Sequence, residues 1–128
     1  MKTIILLSTL IFSTIIFADT RCDFTFPNTK VCAELNWVYG PYFDQENSFR
    51  ISLKNSTQFN TIKVIPWMVM HGHEHGSGPV KMKAIGQNEF QIDNAHFIGG
   101  MMGDWFIRLQ LLNGTQVIEE ARLKVEPK

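Results

Sequence analysis

Three histidines alternate at His71, His73 and His75, Glu74 separates the last two, and Met68 and Met70 come directly before them. Imidazole nitrogen and thioether sulfur are both metal ligands. Imidazole serves both copper oxidation states, thioether selects Cu(I), and Cu(II) stands highest in the affinity order of divalent ions. The mixture therefore points to copper, whereas zinc or nickel would need the histidines alone. On an extended segment the three imidazoles leave one face and Glu74 leaves the other. A straight strand puts the outer two alpha carbons roughly 13 Å apart, too far for one ion with bonds near ~2 Å. Such a strand offers an ion two neighbouring histidines, and a bend at Gly72 or Gly76 gathers all three.

A second ligand-rich stretch lies at Met101-Met102, flanked by Gly99-Gly100 and Gly103, with His96 shortly before. If folding carries both stretches to one end of the domain, His71, His73 and His75 supply nitrogen, while Met70 and Met101 supply sulfur. The competing view makes the methionines core gap-fillers and the histidines a solvated loop that gains charge near pH 6.5. The chain is then a metal-free structural or interaction domain, an accessory envelope protein with no bound ion. Catalysis ranks behind both. Ser77 lies in Gly-Ser-Gly-Pro rather than a nucleophile elbow, and nothing in the spacing of His, Glu74 and Asp93 demands a catalytic assembly.

The elements that must position these groups read as strands. Phe49, Ile51 and Leu53 alternate with polar residues, as do Val80, Met82 and Ala84, and then Ala121, Leu123 and Val125, which marks half-buried strands. Residues 61 to 70 and 105 to 112 are more continuously apolar, as central strands are. Asn113-Gly114 is a hairpin signal, and Pro41 after Gly40 ends the strand that carries Trp37. Trp37, Trp67 and Trp105 are simplest as core side chains. Strands at short regular spacing predict an all-β, immunoglobulin-like antiparallel sandwich of about seven strands, with a small closed barrel as the alternative.

Lys2 followed by the mostly apolar run 4 to 17 and Ala18 has the form of a secretory signal peptide. An uncleaved N-terminal anchor is the alternative. Removing residues 1 to 18 leaves 19 to 128, a single domain. Twelve basic and twelve acidic residues are interspersed, a balance that asks for neither nucleic acid nor, beyond the signal peptide, a membrane. In an exported chain Cys22 and Cys32 default to a disulfide, which would contribute roughly 2 to 3 kcal/mol. Turn residues at 26 to 30 make it a staple between two neighbouring strands. The rival is a thiolate pair for copper. Asn55-Ser56-Thr57 and Asn113-Gly114-Thr115 match the glycosylation pattern, which matters only in a eukaryotic secretory pathway.

At these residues the chain resembles the YtkA-like and FixH-related bacterial envelope domains, over about residues 22 to 126. Their segment runs roughly Met-Pro-x-Met-Gly-His-Gly-Ser-x-Pro, with a later Met-x-Gly-x-Trp. His75-Gly76-Ser77-Gly78-Pro79 matches the second half of the first pattern, and Met70 falls at its first methionine. His73 stands at the second methionine, and His71 and Glu74 replace Pro and Gly. Met101, Gly103 and Trp105 match the later motif. The resemblance implies a periplasmic β-sandwich and, more weakly, copper handling with a cuproprotein or oxidase-assembly partner. Histidine in place of methionine at 73 keeps a donor but hardens it, leaving Cu(I) and Cu(II) both open. The expected location is periplasmic or secreted.

Overall fold

The computed structural model describes residues 21–54, 59 and 61–128. The expected signal peptide and the Asn55-Ser56-Thr57 triplet lie outside the described residues. Among the described residues no helix is long and apolar enough to cross a membrane. The chain forms an all-β sandwich. The strands, in order, are β1 (Phe24–Thr25), β2 (Cys32–Tyr39), β3 (Asn47–Lys54), β4 (Thr61–Met70), β5 (His73–Gly76), β6 (Lys81–Gly86), β7 (Glu89–Ala95), β8 (Asp104–Asn113) and β9 (Gln116–Val125). Nine strands replace the expected seven or so because two short ones, β1 and β5, carry too few residues to show a period.

One sheet runs β1-β2-β3-β7-β6 and the other β5-β4-β8-β9, with antiparallel pairing throughout. With β1 and β5 as additions, this is the strand order of an immunoglobulin-type sandwich. Period-two alternation turns Phe49, Ile51 and Leu53 of β3 and Ile107, Leu109 and Leu111 of β8 toward the shared core, where all are buried. Of the tryptophans, only Trp105 is fully buried. Trp37 packs on the edge of the core. Trp67 corrects the core assignment: it stands on the outer face of β4, with the Arg108 guanidinium 4.4 Å from its ring centroid, so a cation covers it. The half-buried expectation for Met82 and Ala84 also fails. Every residue of β6 is exposed; it is the edge strand of its sheet, paired with β7 alone among the described strands.

The first hairpin is closed twice. Cys22 and Cys32 form a disulfide with alpha carbons 5.4 Å apart, which joins the entry to β1 with the first residue of β2. A bridge of this kind belongs to an oxidising compartment. At the tip, the backbone N–H groups of Asn28 and Thr29 and the Thr29 hydroxyl donate to the Glu119 carboxylate at 3.0, 2.9 and 2.8 Å, tying the turn to β9. Burial alone would raise the Glu119 pKa. Those three hydrogen bonds and nearby Lys30 outweigh it, and the carboxyl is held below its ordinary range. Glu120 follows the same logic: burial opposes ionisation, but Arg108 at 2.6 Å and Gln110 at 2.9 Å hold the pKa down.

A depressed folded pKa stabilises the fold above the unfolded carboxylate value, and that stability is lost as pH falls through the folded value. Urea unfolding at a series of pH values should therefore show stability falling below about pH 4.3, the ordinary glutamate value. Glu120→Gln should flatten part of the fall. An equally steep acid limb in the variant would contradict the assignment.

Candidate functional site

The histidine segment does not run straight. Strand β4 ends at Met70, His71 and Gly72 form the turn with Gly72 at φ +84°, and β5 returns alongside. The ladder sets His73 opposite Met70, Glu74 opposite Val69 and His75 opposite Met68. Directly opposed residues share a face. His73 and His75 therefore lie on the inward side with Met70 and Met68, while Glu74 faces out and accepts from Arg122 at 3.3 Å. Because β5 is an edge strand, His73 stays exposed and His75 partly so.

The later methionine stretch is held at the same end. Phe97 is fully buried, in edge contact with Trp37 and Trp105 at centroid distances of 6.2 and 5.4 Å. The Asp44 backbone N–H donates to the Phe97 carbonyl at 2.8 Å, and the Gly99 N–H donates to the Asp44 carboxylate at 3.0 Å. Asp44 belongs to the 40–46 loop, which Asn47 organises from inside the core. The Asn47 Oδ1 accepts the Tyr42 N–H at 2.7 Å, and its Nδ2 donates to the carbonyls of Tyr42, Gln45 and Ala95 at 2.9 to 3.0 Å. Beyond Met102, Gly103 lies against β4. A Cβ there would come within 2.9 Å of both Met70 Cγ and the Val69 carbonyl oxygen, and 3.1 Å from Met68 Cγ.

The outcome is an open cleft of about 580 Å³ lined by Val69, Met70, His71, Met101, Met102, Gly103 and Asp104. It brings three thioethers, one imidazole and one carboxylate to the same rim. Asp104 is exposed, with the Lys124 Nζ 3.6 Å from its carboxylate. Met101 is 37% exposed and Met102 90%, so both side chains stand open to solvent. Of the sequence-predicted ligands, Met70, His71 and Met101 line this cleft, whereas His73 and His75 do not. The reversal at Gly72 carries those two back along β4: His73 remains beside Met70, and His75 lies a further rung away. Among the described residues, no three His, Cys, Asp or Glu side chains gather in a way that could hold an ion. Both cysteines are committed to the disulfide, which removes the thiolate alternative.

Sequence reasoning singled out Met101 over Met102 and missed Asp104, both of which line the cleft. Adjacent methionines cannot be ranked without the loop's course, and Asp104 reads as an ordinary strand-end acid. Comparison of the chain with known families, with curated proteins and with solved structures gives no match.

Two outcomes follow from this construction. Gly103→Ala forces a side chain against backbone that cannot yield, and should cost about 1–3 kcal/mol of unfolding free energy, read by urea melts; a neutral result would contradict the close approach. Asn47→Ala strands the buried Ala95 carbonyl and three partly buried groups of Tyr42 and Gln45 and should cost about 1–3 kcal/mol, with hydrogen exchange speeding up in residues 40–46 and 97–103. Exchange unchanged in the second segment would break the proposed connection between Asn47 and the methionine loop.

Proposed function

We propose that the chain is an exported copper-binding module, periplasmic or secreted, that takes one ion as cargo in the cleft of Met70, His71, Met101 and Met102 and buffers it or passes it on. Membership of the YtkA-like envelope domains, with a cuproprotein or oxidase-assembly partner as recipient, belongs to the same proposal. The observation that carries it is the meeting of Met70 and His71 with Met101 and Met102 at one cleft. Thioether sulfur selects Cu(I) among biological ions, and one imidazole beside it completes a soft set without a thiolate. The exposure of Met101 and Met102 suits hand-over, since a partner's ligands must reach the ion before the last donor leaves. His73, directly opposite Met70 on the ladder, stands beside the set as a further nitrogen donor. The proposal contains no catalytic step.

A metal-free interaction domain is the second reading, favoured by the dispersal of the three histidines. Titration with Cu(I) against a chromogenic chelator separates the two. The copper reading expects one ion per chain, weakened about tenfold or more by Met70→Leu or by Met101→Leu, the loss that about 1.4 kcal/mol of binding free energy represents. His75→Ala should bind as wild type does. Absence of saturable binding, or equal affinity in the methionine variants, eliminates the copper reading.

A further inference from the structure

A second opening lies on the flank of the sandwich, away from the methionine cleft. Strand β5 pairs only with residues 67 to 70 of β4, and the Ser77 N–H then reaches the Pro66 carbonyl at 3.4 Å before the chain departs. Residues 61 to 65 of β4 keep their β8 partners on one side but have no strand on the other among the described residues. Backbone groups alternate sides along an antiparallel strand. Since the Pro66 carbonyl faces the β5 side, the N–H and C=O of Val64 and Ile62 face it too. Pro66 itself has no N–H to offer there.

Beside this open edge is a groove of about 550 Å³, lined mainly by Val64, Ile65, Trp67, Val80 and Met82 with Lys63 at its rim. Strand β6 contributes Met82 to the opposite wall. Met82 pairs with fully buried Ile92 and so faces inward, yet remains 40% exposed beside the groove. The four-stranded sheet is thus short by the length of strand that would continue the line of β5. That gap has the shape of a β-augmentation site, where main-chain hydrogen bonds supply affinity and alternate side chains fill pockets.

We infer that this edge receives an extended acidic–apolar peptide segment of a partner protein, added antiparallel to β4 at residues 61 to 65. Its inward side chains are apolar, to lie beside Val64 and cover the exposed Met82. Its outward ones include a carboxylate opposite or diagonal to Lys63. Charge decides the occupant. Lys63 at the groove has no carboxylate within ion-pair distance among the described residues, and no carboxylate lines the groove. A second copy of this chain pairing edge to edge would bring another Lys63 to that rim. An unpaired lysine at the strand edge opposes such self-association and leaves an acidic strand as the complementary guest.

The test uses the purified protein and a synthetic peptide of about seven residues in which valine alternates with glutamate or aspartate. A control peptide has the same composition in two blocks. Saturable binding of the alternating peptide, with the amides of Ile62 and Val64 newly protected from hydrogen exchange, is the expected result. Lys63→Glu, an exposed change that should leave the thermal midpoint in place, should weaken it about fivefold by turning a cross-strand attraction into repulsion. Equal binding of the block peptide, or no protection at Ile62 and Val64, overturns the inference. Protection of those amides in the free protein that grows with concentration, together with a dimer in sedimentation, would assign the edge to a second copy instead and overturn it as well.

Discussion

Asn47 is the buried polar side chain of the core among the described residues, fully enclosed at the first position of β3. A buried amide is tolerable only when its donors and acceptor are engaged, and here each bond performs a separate construction task. The Tyr42 and Gln45 contacts shape the 40–46 loop, while the Ala95 contact fastens that loop to the end of β7. From there Asp44 reaches across to Phe97 and Gly99. One amide inside the sandwich thus fixes the stem of the segment that presents Met101 and Met102. An apolar residue at 47 would leave those backbone groups unpaired and release the stem.

The two walls of the cleft are built on different principles. The Met70–His71 wall is a sheet edge, positioned by the β4–β8 ladder and by a turn at Gly72. The Met101–Met102 wall is a loop, positioned by the aromatic anchor of Phe97 and by Gly103 lying directly against Met68 and Met70. A rigid wall facing an exposed one suits a carrier that must hold an ion and also release it, because removing Met102 from the set disturbs no core contact. Immunoglobulin-type sandwiches place their functional loops at the ends in just this way.

Periodicity made most of the fold legible. The strand from Thr61 to Met70 has the bounds that its apolar run announces, and the alternation at Phe49, Ile51 and Leu53 puts those three side chains in the core. What stayed hidden depends on partners distant in sequence. Trp67 shares an apolar run with Met68, but only the outward phase of β4 and Arg108 on β8 show that it faces away from the core. The exposure of β6 goes with its place at the edge of its sheet, which no local pattern records. At the site, the types of the ligands were legible and their grouping was not. His71, His73 and His75 look equivalent in a row until the turn at His71 and Gly72 separates the first from the others. The buried role of Asn47 has no signal in a stretch that reads as turn residues before a strand.

The account's central claim is that sulfur and nitrogen donors from separate segments act on one ion. X-ray absorption at the copper edge of the Cu(I)-loaded protein examines this directly. Two or more sulfur scatterers near ~2.3 Å, with a nitrogen scatterer near ~2.0 Å, is the result predicted. A first shell of nitrogen and oxygen alone would place any bound copper elsewhere and contradict the account.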